Sequence, residues 1–485
     1  MKKLITFSAA ILLLAATSCS NVSEISESSV LSNTENTDVV SSDNSSRQNE
    51  NHEDIVLTLA LGGGDNSRIQ KVIDEFNSSD NGYQIVTKSF GSSVDDDGFP
   101  IETASGDINS ADLELIQDII NKDEIDIIST QSFENESKYE ILKNKGAFAD
   151  LYTFMENDSE VNTSTLDQHI LSIKETNGKL YSLPTFYQAN TLIGETRYVG
   201  NKENWTIDDF ISHWEQMPEG STISGSLNSE NIYYVVLRSN LESFVDYGNA
   251  TVNFDSPEFK RILEFCGTFQ SNNGQKTDLN YDVPNFVSDY ELSGIMSSLV
   301  FSPNSQILSR EGTDYTLVGF PSSDGYGAFF TDSGGCWSIS AKSSSEKQQG
   351  AWEFIRTFVT EDYQTENVIE QYRNGGVVSY SSEVGLCVNN NAFDSIAKSI
   401  MNGEYYDGTY TDKDVEYTYS LPTQADVDDL RAYLNSINKW ETRLDLSLWE
   451  IINDEVMAYF SGEKSLEDTV DTIQNRASIW VSEQS

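Results

Sequence analysis

The run "IVLTLAL" from Ile55 to Leu61 constrains the chain most, because it is almost wholly apolar and stops at three successive glycines, Gly62 to Gly64. A strand with two apolar faces has to be covered on both sides, as in the parallel sheets of α/β proteins. The next residues agree. Ser67 and Gln70 form a capping box, and Ile69, Val72, Ile73 and Phe76 then recur at helical spacing. "YQIVTKSF" reads as a second strand after the turn at Asn81-Gly82, and a helix carrying Leu113, Ile116 and Ile120 leads to a third, "EIDIIS". Strands alternating with helices predict an α/β fold with a largely parallel sheet. The glycine loop is no nucleotide cradle, since it has neither the G-x-G-x-x-G spacing nor a Walker lysine.

Further helices announce themselves by their caps. Thr206 and Asp209 open one that buries Phe210, Ile211 and Trp214, and Ser256-Pro257 opens another with Phe259, Ile262, Leu263 and Cys266 on its inner stripe. "GAWEFIRTFV" buries Ala351, Phe354, Ile355 and Phe358, and a last helix starts at the Ser465/Asp468 box with Leu466, Val470, Ile473, Ala477 and Trp480 inside. The Tyr-rich, acidic "NGEYYDGTYTDKDVEYTYS" reads as a surface excursion. At 485 residues the chain is long enough for two or three domains.

The first residues read differently. Lys2 and Lys3 precede "LITFSAAILLLAATS" and then Cys19, a basic and apolar pair of segments too short to span a bilayer but suited to a signal peptide over residues 1–18. A lone Cys after small residues resembles a bacterial lipobox, with Ala16 where Leu is usual, so Cys19 is expected to carry lipid; free secretion is the alternative. Residues 19–54 are rich in Ser, Asn, Glu and Asp and bury too little to offset ordering entropy. Such a tether has a flexible reach on the order of 30 Å.

Charge and residue usage then exclude several functions. A formal charge of −48 repels nucleic acid and anionic lipid headgroups. Three cysteines, Cys266, Cys336 and Cys387, remain beyond Cys19, none in a C-x-x-C pair, and His52, His169 and His213 are too scattered for a zinc site or a nucleophile–His dyad. No metal or cofactor is expected.

Four stretches in order resemble one family. "NGKLYSLP" (Asn177–Pro184), "FVDYGNATVNFDSPEFKRILEF" (Phe244–Phe265), "GFPSSDGYG" with "SISAKSSSEKQQGAWEFIRTFVTEDYQ", and "YFSGEKSLEDTVDTIQNR" (Tyr459–Arg476) are similar to the extracellular solute-binding lipoproteins of carbohydrate ABC importers, family 1, which include the maltodextrin-binding proteins. The likeness covers roughly residues 55–483; "RNGGVVSYSSE" lacks a usual proline and "LGGGDNS" offers no aromatic after the first strand. The resemblance implies a periplasmic-binding-protein-like fold, α/β, in two lobes with an interlobe cleft and hinge crossings near Tyr187, Phe320 and Arg373. Lobe 1 would comprise residues 55–186 and 320–372, and lobe 2 residues 187–319 with 373–485 and the C-terminal helices. It further implies a monomer on the outer face of the bacterial cytoplasmic membrane that binds a carbohydrate, delivers it to ABC permease subunits, and performs no covalent chemistry.

Sugars present apolar C–H faces and rings of hydroxyls, which call for aromatic platforms and for Asp, Asn, Gln and Arg in a mostly dry cleft. The candidates at strand ends and crossings are Asp65, Asn66, Ser129, Gln131, Phe186, Tyr187, Gln188, Asn190, Phe301, Tyr326, Asp332 and Trp337. Six have a plainer role available: Phe186, Phe301 and Trp337 as core, Asp65 and Asn66 as turn residues, Tyr326 as an exposed loop. For Trp337, alternation groups it with Ile339 and Ala341, which favours packing, while the preceding Gly334 and Gly335 leave room for a platform. A same-fold receptor for a peptide or polyamine, a surface glycosidase and a structural lipoprotein are the competing functions.

Overall fold

The computed structural model describes residues 54–484 apart from 63–66, 91–107, 123, 134–136, 202–203, 270–282, 304–312, 376–383, 406–408, 413–414, 419 and 443. The signal segment, Cys19, the tether up to residue 53, Asp65 and Asn66 lie outside the described residues.

The opening units form as their patterns predict. Strand β1 (Ile55–Leu61) is followed by helix α1 (Ser67–Ser78) and strand β2 (Tyr83–Ser89); helix α2 (Ile108–Gln117) precedes the short β3 (Ile127–Ser129). Leu113 is 53% exposed, and Leu115 with Ile119 carries the buried face of this stretch instead. Thr206 and Asp209 make the reciprocal capping box of the middle helix, and at the last helix Ser465 Oγ accepts the Asp468 N–H at 3.2 Å and donates to the Asp468 carboxylate at 2.7 Å. Ser256 caps Pro257–Cys266 by accepting the Phe259 N–H. The Tyr-rich excursion holds a two-stranded hairpin, Thr409–Asp412 with Val415–Thr418.

The sheet departs from the largely parallel expectation. Among the strands of the described residues, β1–β2 and β1–β3 are the pairs that run parallel. The rest is antiparallel and built on two long strands, β4 (Leu183–Glu195) and β7 (Phe329–Ile339), with β5 (Ser288–Leu292), β6 (Tyr315–Leu317) and β8 (Leu386–Cys387) pairing β4. The path runs β8-β4-β7-β3-β1-β2. Apolar runs this long suit strands covered on both faces whichever way they point, so composition alone did not distinguish direction.

These strands join two lobes. One core gathers Leu57, Leu59 and Ile127 with Trp337, Ile339 and Phe354, and a satellite under β3 holds Ala60, Ile128, Tyr139 and Leu142. A second core gathers Trp205, Phe210, Phe259 and Ile262 with Leu448, Ile452, Val470 and Ile473. On β4, Ala189 and Ile193 face the first core and Leu192 the second; on β7, Phe330 faces the first and Phe329 the second, so the two cores meet across opposite faces of these strands. The third passage lies at Trp440, which bridges Phe330 in parallel register. Arg373, expected near that passage, lies inside the helix Glu361–Gly375, and Phe320 precedes β7 and packs in the second core. Residues between Leu386 and Ile437 contribute to the first core, as do Tyr290, Leu292 and Leu317.

Candidate functional site

Open α/β sheets bind ligands beyond the carboxyl ends of the strands where the strand order reverses. Here β1 is flanked by β2 on one side and β3 on the other, so that point lies where β1 and β3 end, at Gly62 and Ser129. The backbone is crowded there. A Cβ on Gly62 would sit 2.2 Å from the Gln131 carbonyl oxygen, so only glycine lets the two strand ends approach. The Ser129 hydroxyl accepts the Gln131 N–H at 3.2 Å and caps a single 3-10 turn, which leaves the Gln131 side chain exposed. Thr130 Oγ1 accepts the Cys336 N–H at 3.0 Å and donates to Asp332 Oδ2 at 3.3 Å. Ser129, Gln131 and Asp332 are therefore brought together by β3 and β7.

The hinge supplies the adjoining polar face. Gln188 stands opposite Thr331, and Asn190 opposite both Phe329 and Glu291, so these side chains share one side of the sheet. Asn190 is buried; its Nδ2 donates to Thr331 Oγ1 at 3.1 Å and its Oδ1 accepts from Arg238 Nη2 at 3.2 Å. Arg238 faces Glu441 with its Nε 3.7 Å from Oε1, and its guanidinium lies 5.0 Å from the Phe329 ring centroid. Glu441 is delivered by the third passage, whose N–H donates to the Phe330 carbonyl at 2.7 Å. The result is amides, hydroxyls and a guanidinium–carboxylate pair in a partly dry setting, suited to exchanging hydrogen bonds with a polyol.

The large aromatics are elsewhere. Trp337 is 1% exposed, stacked on Phe358 at 4.8 Å and edge-on to Phe354 at 6.1 Å, so the platform expectation is corrected to core. The space beside Gly335 is already taken: a Cβ there would lie 2.6 Å from Ser129 Oγ. Phe186 and Phe301 are likewise buried in the first core, and so is Tyr187, which meets Phe330 edge-on at 5.3 Å. Burial pushes the Tyr187 phenol well above its ordinary value, with Asp167 adding to the effect. Phe186, Tyr187 and Trp337 pack because β4 and β7 are covered on both faces at those positions, and Phe301 packs as the C-cap of the helix Ile295–Val300. Tyr326 is 46% exposed in the turn before β7, where its N–H donates to Asp324 Oδ1. Burial raises the Asp324 carboxyl, but that N–H and Lys439 outweigh it and hold the group below the usual range.

The described histidines and cysteines are engaged in the fold. His169 and His213 are hydrogen-bonded to the carbonyls of Ile437 and Asp209. All three cysteines are buried, and burial pushes the Cys266 and Cys387 thiols up. Sequence reading missed Arg238, Glu441 and Trp440. An arginine ending the apolar helix Ser229–Leu237 was the one local signal; the others are defined by partners more than a hundred residues away.

The profile of the bacterial extracellular solute-binding proteins matches residues 72–383. No curated protein matches the chain. Among solved structures, a de novo designed cysteine esterase aligns with a TM-score of 0.52 at 16% identity, over 89% of this chain and 99% of that one. A family 1 extracellular solute-binding protein from Alicyclobacillus acidocaldarius aligns at 0.49 and 11% identity, over 88% and 98%. An ABC substrate-binding protein from Listeria monocytogenes in complex with cycloalternan aligns at 0.47 and 13%, over 88% and 99%. At its low identity the first of these speaks to the fold alone.

Proposed function

Because the chain belongs to the bacterial extracellular solute-binding proteins, we propose that it captures a carbohydrate, an oligosaccharide, in its interlobe cleft and delivers it to the permease of an ABC importer. The observation that supports this most is a pair of polar groups on the strands that join the lobes: Ser129, Gln131 and Asp332 at the strand switch point, and Gln188, Asn190, Arg238 and Glu441 at the hinge. Such a set can pair the hydroxyls of a sugar. Binding between two lobes stabilises the closed form by the ligand's differential affinity for it. Asp65 and Asn66 follow β1 in the chain and are proposed to join this set.

A thermal-shift panel of oligosaccharides, peptides and polyamines tests the solute class. A ligand at a hundred times its Kd adds about 2.7 kcal/mol, so a sugar should raise Tm by several degrees while peptides and polyamines leave it unchanged. A shift with polyamines alone would transfer the protein to cation capture, which its charge of −48 would assist.

Anchoring through Cys19 is part of the same proposal. Among the described residues no helix is long and apolar enough to cross a membrane. Metabolic labelling with a fatty-acid analogue should tag the wild type and not Cys19→Ser; equal labelling would refute a lipid at that residue.

A further inference from the structure

Lys138, near the start of helix α3 (Ser137–Asn144), is buried, and its Nζ lies 3.3 Å from Asp445 Oδ2. The partners belong to different lobes. Helix α3 sends Tyr139 and Leu142 into the satellite core with Ala60 and Ile128. Asp445 caps helix α4 (Leu446–Phe460), whose Leu448, Ile452 and Val456 sit in the second core. The same ammonium lies 5.4 Å from the Trp480 ring centroid on helix α5 (Leu466–Gln484).

The anion is held in place by its own lobe. Asp445 Oδ1 accepts the Ser447 N–H at 2.9 Å, its backbone N–H donates to the Tyr247 hydroxyl at 3.0 Å, and Tyr247 meets Trp480 edge-on. A cavity of about 220 Å³ adjoins the pair, with Asp112, Leu113 and Ile116 from one lobe facing Asp445, Ser447 and Trp480 from the other. The side chains of Lys138 and Asp445 are only 10% and 2% exposed. Two charges this deep are tolerable only together, and removing one leaves the other buried without its counterion.

We propose that the Lys138–Asp445 pair is an interlobe latch that favours the closed arrangement and so sets solute affinity. Separating the lobes parts the two charges, and Lys138 also leaves the Trp480 ring. Asp445 keeps its helix-capping bonds in either arrangement, so the change falls mainly on the lysine. The apparent affinity for any solute scales with the fraction of molecules in the competent, closed form. This inference rests on two-lobed closure and is independent of which solute is bound.

The test uses solute-free full-length protein with spin labels attached through bio-orthogonal ketone residues at positions 145 and 483, read by pulsed dipolar spectroscopy. Wild type and Lys138→Arg should share one short distance. Lys138→Gln and Asp445→Asn should each raise the population of a longer distance at least tenfold, and the double variant should open no further than either single one. Unchanged distributions in the folded variants overturn the latch, as does opening in only one of two folded variants. Circular dichroism establishes folding, and if a single variant does not fold the other decides. None of these outcomes depends on a sugar being the solute.

Discussion

Trp337→Ala should lower folding stability by about 3–5 kcal/mol, the range for truncating a buried aromatic, and leave solute affinity per folded molecule unchanged. The indole is stacked on Phe358 and edge-on to Phe354, and it lies opposite Leu183 and Ser129 in the sheet. Truncation opens a cavity where β7 meets the helix Ser345–Ile355 and the turn after it. The indole Nε1 is buried without a hydrogen-bond partner. Trp337→Phe should therefore cost much less than the alanine change, since it keeps an aromatic ring and removes an unsatisfied donor. Chemical denaturation and calorimetric titration on the same samples distinguish the outcomes. A small stability loss with a large fall in affinity would restore the platform role.

Arg238→Met should do the reverse, weakening solute binding by about 1.5–3 kcal/mol, the range for hydrogen bonds that involve a charged group. Its guanidinium donates to Asn190, faces Glu441 and rests over Phe329 and Phe320. It thereby orders polar groups from β4, β7 and the third passage at once. Methionine keeps much of the apolar stem and removes the donors, so stability should change less than affinity. Titration calorimetry with the identified solute measures this. Unchanged affinity would make Arg238 a structural brace of the second lobe.

What the sequence disclosed follows from the range of each physical signal. Caps and stripes depend on residues three or four apart, so the Thr206/Asp209 box and the Phe259–Ile262–Leu263–Cys266 face were legible. Alternation correctly grouped Trp337 with Ile339, but one strand cannot report what its face meets; Phe358, on a later turn, supplies that answer. The third passage was harder still. Trp440 is placed by pairing with Phe330, and no local pattern marks it as a crossing, whereas the resemblance drew attention to Arg373. Ion pairs across lobes carry no local signal at all: Lys138 and Asp445 are ordinary surface residues until the fold brings them together. The polar candidates follow from strand ends, where side chains gather at the switch point of a sheet.

The most direct measurement is native mass spectrometry of the protein purified gently from its own host, followed by denaturation and identification of whatever is released. Capture of a carbohydrate in the cleft predicts one intact oligosaccharide per chain, retained through purification and lost from Arg238→Met. Release of a peptide or a polyamine, or of a sugar that the pure protein cleaves on standing, would contradict it.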